Sequence, residues 1–226
     1  MKKQDIITSK LFDLTHTISA PLFTKNIYPW EVLPGIGQFI RFLGGTLSKD
    51  EYNQIGDSIW IHKSVKIPPT ACIGGPLIIC EKADIRNGAY FRGNVIVGSH
   101  AVVGNSCEIK NSILFDYAQV PHFNYIGDSI VGFKSHMGAS SLTSNVKSDK
   151  TLVSVHLEDG DIETGLKKFG AMVGDNVEVG CGSILNPGTI IGCNSNIYPL
   201  SSIRGCVPAD YIYKKQDEIV EKYIIE

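Results

Sequence analysis

The sequence lacks the features that place a chain in a membrane or on a nucleic acid. Its charges nearly cancel, with 21 Lys and Arg against 23 Asp and Glu, so no polyanionic partner is expected. No apolar run approaches the ~20 residues that a membrane-spanning helix needs. The first residues, MKKQDIITSK, continue into charged and polar sequence, unlike a secretory signal. We therefore expect a cytoplasmic protein with no nucleic-acid and no membrane partner.

Paired cysteines are also missing, because none of the six cysteines forms a CxxC motif. They are Cys72, Cys80, Cys107, Cys181, Cys193 and Cys206. Several fall at or beside small-residue positions of the repeat described next. We expect reduced thiols in the core or at corners, and the pattern indicates no metal site.

The chain does contain a six-residue repeat between Ile59 and Val146, which begins IWIHKS, VKIPPT, ACIGGP, LIICEK, ADIRNG, AYFRGN. Its third position carries an apolar ladder ending in one threonine: Ile61, Ile67, Ile73, Ile79, Ile85, Phe91, Val97, Val103, Ile109, Leu114, Val120, Ile126, Val131, Met137 and Thr143. The first position is small or aliphatic. Two inward residues around one outward residue describe a short strand followed by a corner. The repeat therefore predicts an all-β solenoid with three units per coil.

The period stops after Val146 and resumes at Ala171 as AMVGDN, VEVGCG, SILNPG, TIIGCN, SNIYPL, SSIRGC. Both stretches together give about seven coils. The first five coils start near Ile59, Leu77, Val95, Ser112 and Ser129. Glycine recurs at the fourth position of the unit, which predicts a positive φ at the corners.

Three segments fall outside the period: residues 1–55, 147–170 and 208–226. The chain therefore divides into an N-terminal cap (1–55), a solenoid with one insertion (56–207) and a C-terminal tail (208–226). In residues 1–55, apolar residues three and four apart predict a helical cap over the open first coil. The tail from Pro208 predicts a helix over the last coil, with an apolar side made of Tyr211, Ile212, Ile219, Val220, Tyr223 and Ile224. Residues 147–170 form an inserted loop that is too long for a corner. Loops of this kind commonly bind or cover ligands.

Polar residues that break the repeat mark candidate sites. Arg92 and Lys110 occupy equivalent positions in successive coils, where like charges are costly unless an anion lies near them. Tyr125, Asp128 and Asn145 continue this polar strip in the following coils.

Two histidines are the other deviations. His122 follows Pro121 on a corner and is suited to accept a proton. His136 lies one coil further on, before Gly138 and Ala139, where a ligand could approach the backbone.

The stretch RGN…VGNSCEIK…PHFNYIGDSIVG resembles the left-handed β-helix acetyltransferase domain of bifunctional N-acetylglucosamine-1-phosphate uridyltransferase/glucosamine-1-phosphate acetyltransferases. The resemblance runs from Arg92 to Asn145 and from Lys168 to about Ile203. It implies a hexapeptide-repeat acyltransferase that forms homotrimers with active sites between subunits, and that uses acetyl-CoA and a sugar phosphate or nucleotide sugar. The chain shows nothing similar to the Gly-rich nucleotidyltransferase signature of those proteins.

The resemblance also implies a role for each matching residue. His122 would be the general base. The sugar phosphate would contact Arg92, Lys110, Tyr125, His136, Asn145 and Lys168. Acetyl-CoA would lie along Ala139, Cys181 and Pro199. Four positions depart from the family pattern: His136 replaces an asparagine, Val146 a tyrosine, Cys181 a serine and Pro199 an alanine.

Two other functions remain open from the sequence. Gamma-class carbonic anhydrases share the solenoid and bind zinc through three histidines, two of them five residues apart, and this chain has no such pair. A catalytically inactive trimeric scaffold would need only the apolar ladder. The joint presence of Arg92, Lys110, His122 and Asn145 favours acetyl transfer over the scaffold.

Overall fold

The six-residue period folds into a three-sided parallel β-solenoid, seen in a computed structural model that describes residues 1–215 and 218–223. The helical segments are α1 (Thr8–Leu11), α2 (Ala20–Phe23) and α3 (Ile36–Gly44), with 3-10 turns at Lys3–Asp5, Leu14–His16 and Pro29–Gly35. The strands up to the end of the uninterrupted repeat are β1 (Tyr52–Gly56), β2 (Ile59–His62), β3 (Cys72–Gly74), β4 (Leu77–Ile79), β5 (Asp84–Ile85), β6 (Tyr90–Arg92), β7 (Val95–Val97), β8 (Val102–Asn105), β9 (Glu108–Lys110), β10 (Ser112–Leu114), β11 (Gln119–His122), β12 (Tyr125–Gly127), β13 (Ile130–Val131), β14 (His136–Met137) and β15 (Leu142–Thr143). The later strands are β16 (Ser154–Val155), β17 (Ile162–Glu163), β18 (Ala171–Val173), β19 (Glu178–Val179), β20 (Ile184–Leu185), β21 (Thr189–Ile191), β22 (Asn196–Ile197), β23 (Ser202–Ile203), β24 (Cys206–Val207), β25 (Tyr211–Lys215) and β26 (Glu218–Glu221).

Each of the second to seventh coils contributes one strand to each of three faces. The first face has the order β1-β2-β4-β7-β10-β13-β18-β21-β24, the second β5-β8-β11-β14-β19-β22-β25-β26, and the third β3-β6-β9-β12-β15-β20-β23. Ile59 pairs with Leu77, Leu77 with Val95, and Val95 with Ser112, so the register follows the predicted coil starts. The pairing continues through the shortened units, because both lie on the third face.

The interior of the prism is the predicted ladder. Side chains from Leu77 to Val207 in this ladder are almost completely buried, and Met137 and Thr143 have no exposed surface. Serines at first positions are also buried, and their hydroxyls donate to backbone carbonyls, as Ser129 does to Gly127 at 2.7 Å. The polar members of the core therefore have partners.

The predicted role of the fourth-position glycines was wrong. None of them has a positive φ, and the left-handed residues are instead the last of each unit, such as Lys82, Asn94 and His100. A Cβ on Gly98 would lie 2.5 Å from the amide nitrogen of Asp116 in the next coil. At most of these positions only glycine fits, because the backbone of the neighbouring coil passes too close for a side chain.

The sequence predicted that the N-terminal segment caps the open end of the first coil. In the structure the segment instead packs along the side of the first face. The outward residues of this face are apolar and need cover: Trp60, Ile78, Ile96, Ile113, Ile130, Met172 and Ile190. They form a second core with residues of the segment, including Trp30, Leu33 and Ile36. Only β1 covers an edge, since it pairs antiparallel with β2.

The inserted residues 147–170 join the same second core. They form a short antiparallel pair of β16 and β17, and Val153, Val155 and Phe169 are buried against the first face. The Phe169 ring centroid lies 5.5 Å from that of Trp30. The N-terminal amine of Met1 also contacts Glu158 at 2.6 Å. The insertion is therefore fixed to the N-terminal segment.

The predicted C-terminal helix is wrong. β25 extends the second face in parallel with β22, and β26 folds back on β25. Tyr211 and Tyr213 are two residues apart and pack on the prism core, which is the period of a strand. A strand also pairs with the open edge of the last coil, which a helix could not do. Asp217 and Ile224, which the sequence assigned to the helix, lie outside the described residues.

Candidate active site

Arg92 and Lys110, the two predicted cations, lie at the edge of the third face that borders the first face. Each forms an ion pair with a carboxylate of the chain. Arg92 and Lys110 are adjacent in the register of β6 and β9. The Arg92 guanidinium contacts the Glu108 carboxylate at 2.7 Å. The Lys110 ammonium lies 3.0 Å from the Asp128 carboxylate. The anion expected between the stacked cations is thus supplied by the protein itself.

Asp128 is the centre of a polar network on this edge. Its carboxylate is 4% exposed and accepts hydrogen bonds from Lys110, from the Asn111 amide at 2.9 Å and from the Asn145 amide. The Asn145 amide also donates to the Tyr125 hydroxyl at 3.2 Å. Three predicted site residues are therefore joined through one carboxylate. We refer to Lys110, Asn111, Tyr125, Asp128 and Asn145 as the edge cluster.

Two protonation states in this region follow from their neighbours. Burial raises the pKa of the Tyr125 phenol, and the Asp128 charge raises it further, although the Asn145 donor opposes both. The phenol is therefore neutral at neutral pH and can donate a hydrogen bond. The hydrogen bond that exposed Arg92 donates to the Glu108 carboxylate raises the pKa of Arg92, which stays a cation.

Gly127 makes room for the edge cluster. A Cβ at this position would lie 2.5 Å from the Tyr125 hydroxyl oxygen and 2.9 Å from the Asn145 amide nitrogen. The Tyr125 ring therefore lies over Gly127 and crosses the third face. It links the start of β12, close to His122 in the chain, to the edge where Asn145 lies.

His122 lies at the opposite edge, on the corner between the second and third faces. Its side chain is exposed, and its ring makes no hydrogen bond within the described part of the chain. The three predicted acetyl-CoA residues, Ala139, Cys181 and Pro199, stack on it in successive coils. The backbone bonds of this column are Ser140 N to His122 O at 3.0 Å, Gly182 N to Ala139 O at 2.8 Å and Leu200 N to Cys181 O at 2.8 Å. The structure thus aligns these four residues along one corner. We refer to His122, Ala139, Cys181 and Pro199 as the corner column.

Asn124 fixes the backbone of this corner and was missed by sequence reasoning. Its side chain is 3% exposed, accepts from the His122 amide at 3.0 Å, and donates to the Gly138 carbonyl at 2.8 Å and the Ser141 carbonyl at 2.9 Å. It therefore joins the coil of His122 to the next coil. A buried polar residue two positions after a corner histidine is the signal that could have identified it.

The two remaining site residues lie in different places. Lys168 is exposed and precedes Phe169, whose amide donates to the Asn145 carbonyl at 3.0 Å, so it borders the edge cluster. His136 lies on the second face, where its Nδ1 contacts the Glu178 carboxylate at 2.9 Å. The structure brings His136 into contact with neither the edge cluster nor the corner column.

Known proteins that are similar to this chain identify its family. A family model, the GMPPB C-terminal domain, matches residues 73–166. The uncharacterized acetyltransferase YaiX of Escherichia coli O6:K15:H31 (strain 536) is 30% identical over 182 residues, which cover 76% of this chain and 79% of YaiX. The chain belongs to the hexapeptide-repeat acyltransferase family.

A longer family relative is the bifunctional protein GlmU of Methanococcus vannielii, 32% identical over 197 residues, or 86% of this chain and 47% of GlmU. The chain therefore spans about half the length of the GlmU relatives that it matches. The solved structure of the Bacillus cereus BC4754 gene product aligns with a TM-score of 0.53 at 14% identity, covering 69% of this chain and 85% of that one. This likeness shows the solenoid fold.

The described residues contain neither a metal-binding cluster nor a membrane-spanning helix. Among residues 1–215 and 218–223, no three His, Cys, Asp or Glu side chains converge as a metal site would require. The carbonic anhydrase hypothesis needs such a group of histidines. In the same residues, no helix combines the length and the apolar character needed to cross a membrane.

Proposed function

We propose that the chain transfers an acetyl group from acetyl-CoA to the amine of an amino-sugar phosphate or a nucleotide-linked amino sugar. The observation that carries this proposal is the corner column, in which an exposed histidine begins a line of small or short side chains. His122 is the general base of the proposal, and Ala139, Cys181 and Pro199 line the acetyl-CoA groove. Family membership supports an acyl transfer on this fold.

The geometry of the corner suits an extended thioester. Coils rise by about 4.8 Å, so Ala139 and Pro199 are about 10 Å apart along the prism. Ala139 is half-buried, and Cys181 and Pro199 are exposed. A linear acyl carrier would run along this line with its carbonyl near His122.

In the reaction, the His122 imidazole takes a proton from the acceptor nitrogen as that nitrogen bonds to the thioester carbonyl carbon. The C–S bond then breaks, and the departing thiolate takes the proton from the His122 imidazolium to become CoA thiol, which restores the neutral imidazole. The backbone amides of Gly138 and Ala139, where the sequence leaves room for a ligand, are the candidate oxyanion donors. The Gly138 amide is already donated to the Val179 carbonyl at 2.8 Å, whereas the Ala139 amide has no acceptor among the described residues. Ala139 is therefore the oxyanion donor of this proposal.

The edge cluster holds the acceptor. Tyr125 and Asn145 offer neutral hydrogen-bonding groups to sugar hydroxyls. Arg92 and exposed Lys168 are the cations for the phosphate, and the phosphate competes with the exposed Glu108 carboxylate for Arg92. Lys110 is only 21% exposed and is committed to Asp128, so its role is to position Asn145 through that carboxylate.

A trimer would complete this site. The corner column and the edge cluster lie on opposite edges of the third face, and Tyr90, Tyr125 and Ile184 leave apolar surface between them. A second copy packed on this face would enclose the acceptor. Sedimentation at micromolar concentration is expected to give the trimer mass, and a monomer would contradict the trimer.

The function is tested by acetyl-CoA cleavage with a panel of amino-sugar phosphates and nucleotide-linked amino sugars. We expect thiol release with at least one acceptor and an N-acetylated product by mass spectrometry. An acceptor in which a hydroxyl replaces the amine is the matched control and should give no product.

The inactive scaffold is the second candidate, and one observation favours it. Arg92 and Lys110 are both ion-paired within the chain, so neither is a bare cation that needs a substrate. The scaffold predicts that no acceptor is acetylated and that acetyl-CoA itself does not bind. Saturable binding of acetyl-CoA, lost in Ala139→Trp, would exclude it.

A further inference from the structure

The insertion encloses a polar cavity on the edge between the third and first faces, away from the corner column. The cavity has a volume of about 500 Å³, which lies in the range of small-molecule sites. Its walls come from the insertion, including Lys147, Ser148 and His156, and from the corners of later coils, including Ser144, Asn186 and Arg204. The proposed acetyl transfer does not use it.

Arg204 is the group that gives this cavity its charge. Its side chain is exposed and makes no ion pair or hydrogen bond among residues 1–215 and 218–223. The Lys147 ammonium lies 3.8 Å from the Asp149 carboxylate, so these two lining charges cancel. The His156 Nδ1 lies 2.8 Å from the Asp161 carboxylate. One uncompensated guanidinium therefore faces a cavity that is otherwise neutral.

Neutral donors lie beside this cation. The hydroxyls of Ser144 and Ser148 have no hydrogen-bond partner in the described part of the chain, and both residues line the cavity. The Asn186 side-chain amide donates to Ser202 and Ile203, and the strand register places Asn186 next to Arg204 in the preceding coil. A planar guanidinium with nearby hydroxyls matches the oxygens of a phosphoryl group, which it can bind bidentately.

The cavity is separate from the edge cluster. Arg204 belongs to the column of Lys110, Gly127, Ser144 and Asn186, as the strand register shows. Arg92, a phosphate cation of the proposed acceptor site, lies one coil step before Lys110 in the same column, so five coil steps, or about 24 Å, separate it from Arg204. A phosphoryl group on Arg204 is therefore too far away to be the one that Arg92 holds.

We propose that this cavity binds the phosphoryl group of a small phosphomonoester, with Arg204 as the anchoring cation and the Ser144 and Ser148 hydroxyls as further donors. The site stands independently of acetyl transfer, because none of its residues belongs to the corner column or the edge cluster. It exists only where the insertion from Lys147 closes over the later coils.

The test is calorimetric titration of the full chain with glucose 1-phosphate, which carries a phosphomonoester and no amine to acetylate. We expect saturable binding that weakens at least about tenfold in Arg204→Gln, the loss typical of a hydrogen-bonded charge. Ser148→Ala should weaken it less. Arg86→Gln removes the same charge from another corner, where Arg86 pairs with Asp84, and should bind like the unchanged chain.

Three results would overturn the proposal. They are the absence of saturable binding to the unchanged chain at millimolar ligand, undiminished binding in Arg204→Gln, and loss of binding in Arg92→Gln with Arg204→Gln unaffected. The last result would assign the phosphate to the acceptor site of the proposed function. Circular dichroism of each variant checks that the solenoid is intact.

Discussion

The first and third faces of the prism are made from the same six-residue unit and differ mainly in the residue that points outward. On the first face this residue is apolar in every coil, as at Ile96 and Ile113, and the N-terminal segment and the insertion cover it. On the third face it varies, as at Glu108, Tyr125 and Ile184, and no segment of the described chain covers it. The inward ladder fixes the fold, and the outward residue decides whether a face builds a core or a site.

The largest expected effect comes from truncating one outward residue on each face. Ile96 on the first face is completely buried, and Ile96→Ala should lower the free energy of unfolding by about 2–5 kcal/mol. Ile184 on the third face is 40% exposed, and Ile184→Ala should cost less than about 1 kcal/mol. Urea unfolding measures both. A large loss in Ile184→Ala would mean that another chain covers the third face as tightly as the N-terminal segment covers the first.

A second comparison uses glycines at the same position of the unit. In Gly98→Ala on the first face, the new Cβ meets the backbone of Phe115 and Asp116, at 2.5 Å, and overpacking of this kind costs about 1–3 kcal/mol. In Gly127→Ala on the third face, it meets the side chains of Tyr125 and Asn145, which can move.

Gly127→Ala should therefore keep most of its stability and instead raise the KM for the acceptor, with little change in the KM for acetyl-CoA. Unfolding curves and steady-state kinetics separate the two effects. An unchanged acceptor KM would remove Tyr125 and Asn145 from the acceptor site.

The smallest expected effect is a pH dependence of the covered face. Asp175 accepts from the amides of Asp13 at 2.7 Å and Phe133 at 2.8 Å, and thus ties the N-terminal segment to the solenoid. Burial raises the pKa of Asp175, while those two amides oppose the rise. Protonated Asp175 therefore favours the folded state, and its contribution is full below the ordinary aspartate pKa of about 4 and lost as pH rises through the raised value.

Thermal unfolding between pH 4 and 6 should show this loss in the unchanged chain and a flatter profile in Asp175→Asn. Asp149→Asn is the control, because hydrogen bonds from Thr151 lower the pKa of Asp149 and give it the opposite slope, and Asp149 is not among the groups that shift the pKa of Asp175. A steeper profile in Asp175→Asn would contradict the assignment.

The solenoid and its register could be predicted because each unit repeats the same inward residues, and about twenty units report one geometry. The edge cluster was only partly predictable. Counting coils placed Lys110 and Asn145 on one edge, but the burial of Asp128 depends on a corner conformation that the period does not encode. The covered first face could have been predicted from its uniformly apolar outward residues, such as Trp60 and Ile78.

The C-terminal strands show a different limit. The apolar residues of the tail fit spacings of three and four as well as of two. The open edge of the second face then decided the outcome, because strand pairing satisfies its free backbone groups. The helix propensity and spacing of the tail residues alone do not reveal that this edge is open.

The most direct test of the proposed chemistry is the acetyl-transfer rate of His122→Ala with the best acceptor of the panel. General-base catalysis predicts a fall in kcat of at least about a hundredfold, with acetyl-CoA binding retained. His62→Ala, which removes a half-buried histidine from the first coil, should keep its rate. An undiminished kcat in His122→Ala would contradict the central claim that this corner histidine accepts the proton.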